Sequence, residues 1–292
     1  MSKSLLLVAL AVVHIIWGGG FIVLKMVQEY FTIEQILLGR VFFASILYLI
    51  LWSRIPKPAY QKGDWKMLLL LAMCEPFLLF TFETLGLQYT SASQGGMIVA
   101  CVPMTVAIGA YVVYKEKISR RCMAGILCAV AGVGIVSAFG EANEHGSNPL
   151  LGNFFIFCAV LSATCYALTV KHLAARYHFM YLSAIQVFGA TILFLPGAIM
   201  SPMPENLNWQ AFAALVYLGL GITFLVYFVI NYALTQIKAA HVILFSNLIP
   251  VATLVLAFIV LGETLTPVQY AGAALVLAGM FLAGSPDSVE NN

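Results

Sequence analysis

The chain has 292 residues, a formal net charge of +2, 62% hydrophobic residues and only 9% charged ones. Soluble domains carry about a quarter charged residues, so a mean hydropathy of +0.97 excludes a cytosolic enzyme and a disordered protein. Fourteen basic against twelve acidic residues make no phosphate-tracking surface, which excludes a nucleic-acid partner.

Ten apolar segments follow along the chain, at 5–24, 36–52, 67–87, 93–114, 122–139, 150–170, 182–200, 211–234, 240–261 and 267–283. Each is close to the roughly 20 residues that an α-helix needs to cross a bilayer, and too long for a barrel strand. The first begins like a signal peptide, but its apolar run continues to Leu24 and reads as an uncleaved span. The expected fold class is therefore an all-α membrane protein with ten transmembrane helices. The six cysteines, Cys74, Cys101, Cys122, Cys128, Cys158 and Cys165, fall within or at the edges of these segments without metal-ligand spacing. They read as small packing residues, and neither a metal nor a cofactor is expected.

Lys and Arg set the orientation. With a cytoplasmic N-terminus, Lys3, Arg54, Lys57, Lys62, Lys66, Lys115, Lys117, Arg120, Arg121, Lys171, Arg176 and Lys238 all fall inside. Lys25 falls outside and Arg40 within span 2. Both termini are then cytoplasmic, and membrane lipids are partners. The outer loops collect Glu29, Glu34, Glu141, Glu144, Glu205 and Glu263.

Residues 86–132 lie over 233–279 at a constant offset of 147, with ten identities in 47 positions. Pro103 meets Pro250, Glu116 meets Glu263, Gly125 meets Gly272 and Gly132 meets Gly279. Five spans per half is an odd number, so the second half enters the membrane from the opposite side. The expectation is two inverted five-helix repeats, 1–145 and 146–292, the construction that alternating-access transporters use.

The stretches GLQYTSASQGGMIVACVPMTVAIGAYVVYKEKISRRCMAG and ALTQIKAAHVILFSNLIPVATLVLAFIVLGETLTPVQYAGAALVLAG resemble the two copies of the EamA-type domain of the drug/metabolite transporter superfamily. WGGGF at 17–21 and Arg40 fit the first copy. Lys115 before Glu116 departs from the pattern, where the second copy has Gly262. The resemblance implies a ten-helix secondary transporter of the inner (plasma) membrane, often an exporter of amino acids or other small metabolites, with spans 1, 3, 4, 6, 8 and 9 around a cavity.

Glu75 stands near the middle of span 3 and precedes Pro76. An ionised carboxylate there is costly unless paired or hydrated, which makes Glu75 the leading candidate for a substrate ammonium or a coupling proton, packing against a neighbouring helix being the alternative. His14 in span 1 relays protons if it meets Glu75, and otherwise is structural. Trp17 is a candidate cavity aromatic, and Gly18 to Gly20 allow close helix approach or local unwinding. Gln94, Tyr166, Tyr227, Asn231 and Asn247 either orient a polar ligand or bridge helices. Arg40 and Glu83, towards the outer ends of their spans, are candidates for an outer gating pair or for snorkelling to the interface. Pro103 and Pro250, near the midpoints of spans 4 and 9, are expected as kinks that shape the cavity and bend between states. No H-x-x-x-H, aspartate pair or nucleophile with a base points to an enzyme. A secondary active transporter of a small-molecule substrate is the leading expectation, with a passive facilitator and a membrane-embedded enzyme as rivals. The sequence leaves the oligomeric state open.

Overall fold

A computed structural model describes residues 3–58, 60–115, 117–140, 146–174, 176–204, 209–237, 242 and 245–283. Lys238, Glu116, Glu141, Glu144 and Glu205 lie outside the described residues. The described residues form helices joined by short loops. They form α1 (Lys3–Val27), α2 (Ile33–Leu51), α3 (Asp64–Tyr89), α4 (Ala92–Tyr114), α5 (Arg120–Ala138), α6 (Pro149–Leu173), α7 (Phe179–Met200), α8 (Trp209–Val216 continuing through Tyr217–Val226 and Tyr227–Gln236), α9 (Leu248–Leu261) and α10 (Pro267–Ala283). The first eight are long and apolar enough to cross a membrane, and α9 and α10 are shorter apolar helices.

Local chemistry sets the helix ends. Thr32 and Gln35 form a reciprocal capping box at the start of α2, and Thr266 with Gln269 makes the same pair of bonds at the start of α10. Ser91, Ser119 and Asn148 each accept a backbone N–H at the starts of α4, α5 and α6, satisfying donors that have no partner within the helix. Around an apolar core, the molecule buries a set of polar groups and turns many large apolar side chains outward. Ile50, Leu127, Val130, Ile192 and Ile259 are exposed, while His14, Arg40, Glu75, Glu83, Gln94 and Gln186 are buried. A belt of that kind suits lipid rather than water.

Packing repeats across the two halves at the offset of 147. Helix α5 lies along α10, and α2 along α7; α1 packs on α8 and α9 as α6 packs on α3 and α4. A methyl group at Gly125 would lie 2.6 Å from the Gly279 carbonyl oxygen, and one at Gly132 would lie 2.6 Å from that of Gly272. Gly125 and Gly132 are the offset partners of Gly272 and Gly279, so the two contacts exchange with one another, as they do across a two-fold axis. Small residues at these points let two helices approach to backbone distance.

Backbone irregularities repeat as well. Helix α3 carries a π-helical turn at Met73–Leu78, and α8 one at Tyr217–Val226 that spans the offset positions. The helical pieces Ala92–Val99 and Val102–Tyr114 meet at a turn at Ala100 and Cys101, and Asn247, the offset partner of Ala100, is a turn before α9. Pro103 and Pro250 therefore do not kink continuous helices at mid-span, as the sequence led one to expect. They sit in the first turn of the piece that follows the break, where a missing N–H leaves no hydrogen bond unmade. Lys115 and Gly262 both adopt left-handed backbone, at φ 60° and 68°. The Lys-for-Gly departure noted in the sequence thus preserves the helix ending, at a conformational cost that glycine does not bear.

Candidate functional site

Glu75 departs from helical geometry, with φ −146° and ψ 124°, inside the π-helical turn that precedes Pro76. Proline has no N–H to donate and crowds the preceding turn, so the helix opens at this point and neighbouring helices supply the partners. Gln186 of α7 donates to the Glu75 carbonyl oxygen at 2.7 Å. Tyr227 of α8 donates its hydroxyl to Glu75 Oε1. Both partners come from the second half of the chain, and the Glu75 side chain is buried. Glu75, Pro76, Phe80, Ser183, Gln186, Val187, Thr223 and Tyr227 line a cavity of about 20 Å³, room for about one water molecule.

Two helical turns along α3, Glu83 meets Arg40 of α2 at 2.6 Å, both buried. The Arg40 guanidinium lies over the Phe80 ring, 3.6 Å from its centroid. Phe80 thus touches both the Glu75 cavity and the ion pair. A second cavity of about 10 Å³ is lined by Trp17, Gly20, Phe21, Arg40, Glu83 and Ile222. Arg40 stands seven residues into α2, about 10 Å along the helix axis. Of the two alternatives the sequence left open for these residues, the side chains meet as a buried pair and do not snorkel to the interface.

The remaining candidates divide. Trp17 packs against Tyr227 with ring centroids 5.7 Å apart and against His14 at 6.4 Å, so it adjoins the site. Tyr166 lies close to Gln186 at the edge of the site. His14 makes no direct relay with Glu75: its Nδ1 lies 2.7 Å from the Leu10 carbonyl oxygen of its own helix, because an i−4 carbonyl is the nearest acceptor on an otherwise apolar face. Gln94 is away from the cavities. It accepts from Asn153 at 2.8 Å near the start of α4, within a network that includes Thr90 and Ser137, since its place in the first turn carries it to the helix end. Asn231 is one turn beyond Tyr227 and Asn247 precedes α9; both are half-buried, and neither lines the two cavities. Gly18 to Gly20 stay helical within α1. Gly18 brings α1 against Ile249 and Thr253, and Thr253 donates to the Gly18 carbonyl at 3.0 Å, so this run serves close approach and not unwinding. Sequence reasoning missed Ser183, Gln186 and Thr223. The rule that picked out Gln94, a polar residue within an apolar span, applies equally to Gln186.

Charges at the two ends of the helices are held differently. Lys25 donates to the carbonyls of Leu87 and Thr90 at 2.6 and 2.9 Å, at the end of α3. Glu263 accepts from the N–H groups of Ala92 and Ser93 at 2.9 and 2.8 Å, at the start of α4. A cation on carbonyls and an anion on amides both match the helix dipole. Glu263 lies in the loop between α9 and α10 and is buried because it crosses from the second half to cap a helix of the first. At the opposite end Asp64 takes both nitrogens of the Arg176 guanidinium at 3.0 Å and the Tyr177 hydroxyl at 2.7 Å. Burial, then the bond to Asp64, push the Tyr177 phenol up to about 12, so it remains a donor at neutral pH. Among the described residues no cluster of ligating side chains could hold a metal ion.

The profile of the EamA-like transporter family matches residues 3–138 and again 150–285. The chain belongs to the EamA-like transporter family. It is thus a multi-pass membrane protein of a transport family. The chain is 28% identical over 284 residues to the uncharacterized transporter YetK of Bacillus subtilis, covering 94% of this chain and 85% of that one. It is 27% identical over 295 residues to a probable amino-acid metabolite efflux pump of Salmonella typhimurium, covering 97% and 95%. A solved crystal structure superposes with a TM-score of 0.67 at 14% identity, covering 97% of both chains, a likeness of fold. These family and relative names point to transport and not to catalysis.

Proposed function

We propose that this EamA-like protein is a secondary active transporter that exports a small metabolite, an amino acid or a related compound, by alternating access. Ten transmembrane helices form two inverted repeats, 1–145 and 146–292, with both termini cytoplasmic in the inner membrane and the Lys25 end outside. The exchanging glycine contacts, the matched π-helical turns and the matched breaks at Ala100 and Asn247 support this reading. So does the basic character of the loops at the Asp64 end, and the substrate class agrees with the name of the Salmonella relative.

The observation that carries the mechanism is a buried carboxylate of one half, Glu75, bonded by a hydroxyl of the other, Tyr227. An ionised carboxylate at that depth needs a partner. Glu75 takes a coupling proton or a substrate ammonium, and Tyr227 moves with its own half when the halves rock. Trp17, Tyr166 and Tyr227 orient the substrate around it. His14, Gln94, Asn231 and Asn247 come next to the path only in another state. Pro103 and Pro250, beside the helix breaks, are hinge points, and Arg40 with Glu83 closes the path above Glu75. The cavity is too small for a metabolite, so this conformation is an occluded one.

Purified protein in liposomes carrying a pH gradient tests the reading. Saturable, gradient-driven amino-acid flux is expected, and Glu75→Gln should remove the gradient dependence. Equal flux from wild type and Glu75→Gln overturns the mechanism, and unsaturable flux that ignores the gradient identifies a passive facilitator.

A further inference from the structure

The Arg40–Glu83 pair is incomplete as a structural ion pair. A guanidinium offers five N–H donors in a planar fork and commonly takes a carboxylate with two of them. Here one Nη meets Glu83 Oε2, at 2.6 Å. Arg40 Nε, fully shielded from solvent, has no hydrogen-bond partner, and neither does Thr84 Oγ1. A buried donor left unmade is costly, and each such group in a folded protein needs a reason. Arg40 is only 3% exposed, so the fork is shielded from bulk solvent.

The surroundings keep the fork ready. Phe80 covers one face of the guanidinium and holds its plane, leaving the edge for in-plane acceptors. Among the described residues, the cavity beside Arg40 has no other charge than Glu83: Trp17, Gly20, Phe21 and Ile222 complete its wall. The offset partner of Arg40 in the second half is Val187, and that of Glu83 is Ile230. The pair is therefore not required by the packing of the duplicated frame, which accommodates aliphatic residues at both equivalent places.

We propose that Arg40 is the carboxylate-binding residue of the transport site, and that Glu83 occupies its guanidinium only in the empty carrier. A substrate carboxylate takes the fork with two N–H donors, and Glu83 is released towards the cavity. The ion pair is then a latch that the cargo itself opens, and the cargo is a small metabolite bearing a free carboxylate. This proposal rests on the transport reading above and adds to it the group by which substrate is selected.

Full-length protein in proteoliposomes is given each proteinogenic amino acid beside its carboxamide, which keeps the side chain and the amine and loses the carboxylate. Wild type should take up the acids in preference to the amides by about 10- to 100-fold, the scale of a charge-assisted hydrogen bond. Glu83→Gln should keep that preference, because the fork remains. The double variant Arg40→Gln/Glu83→Gln replaces the pair by neutral groups of similar shape, and should elute as wild type in size-exclusion chromatography while transporting acid and amide alike. Equal uptake of acids and amides by wild type, or a preference for acids that survives the double variant, overturns the proposal and leaves the transport reading standing. Absence of flux for both members of every pair defeats the transport reading and this proposal with it. Should the double variant fail to elute as folded, the wild-type acid-to-amide ratio decides alone.

Discussion

The two halves of the molecule share a frame and differ in chemistry. Features that shape the frame recur at the offset of 147: the close glycine contacts between α5 and α10, the π-helical turns of α3 and α8, and the left-handed residues Lys115 and Gly262. The ionisable groups at the centre do not recur. His14, Arg40, Glu75 and Glu83 belong to the first half, and their partners in the second are Leu161, Val187, Ile222 and Ile230. The second half contributes neutral polar groups instead, Gln186 and Tyr227. Duplicating a buried charge doubles a desolvation cost, whereas a duplicated glycine contact costs nothing further. A frame can therefore stay symmetric while its central charges are kept in one half, Arg40 and Glu83 on each other and Glu75 on a hydroxyl of the other half.

The contrast can be broken most forcefully at Arg40. Arg40→Ala leaves Glu83 buried without its cation and should destabilise the protein by about 3–5 kcal/mol, read by thermal unfolding in detergent; Arg40→Gln/Glu83→Gln should fall much nearer to wild type. Comparable losses for the two would mean that the charge pair itself stabilises the fold. Glu263→Ala strips two buried N–H groups of their acceptor, and at about 1–3 kcal/mol for an unmet buried donor the same assay should register the next largest loss. Its affinity for substrate per folded molecule should be unchanged, since Glu263 acts on the helix end and not on the cavities.

The frame is tested by paired substitutions. Gly125→Ala and Gly279→Ala press on the same contact from opposite sides and should each cost about 1–3 kcal/mol by overpacking, with equal values for the two. A loss confined to one of them would show that the reciprocal contact is not an equal one. Lys115→Gly has the smallest expected effect and the opposite sign. Relieving a left-handed residue should raise stability by about 1 kcal/mol, while Gly262→Lys should lower it by a similar amount.

Much of the frame was legible in the sequence because lipid imposes it. A chain with so few charges has to satisfy its backbone within helices, and the positions of Pro103, Pro250, Gly125 and Gly272 exposed the duplication directly. The prolines misled about local shape, since a proline reads alike in a mid-helix kink and in the first turn of a new helix. Within the site, Glu75 stood out as a carboxylate in an apolar span, but its partner did not. Tyr227 and Gln94 look equally eligible in the sequence, and only the first lies at the cavity.

The sequence by itself determined that this is a helical membrane protein built twice over, because hydropathy, residue spacing and the offset of 147 are properties of the chain alone. Only the tertiary structure decided that Glu75 meets Tyr227, that Arg40 meets Glu83 beside an unfilled donor, and that Glu263 caps a helix of the other half. Those pairings join residues 43 to 171 positions apart, as for Arg40 with Glu83 and Ala92 with Glu263. Which of many polar groups meet across such separations is set by how the helices pack and rotate against one another, through close contacts at small residues together with bonds between helices.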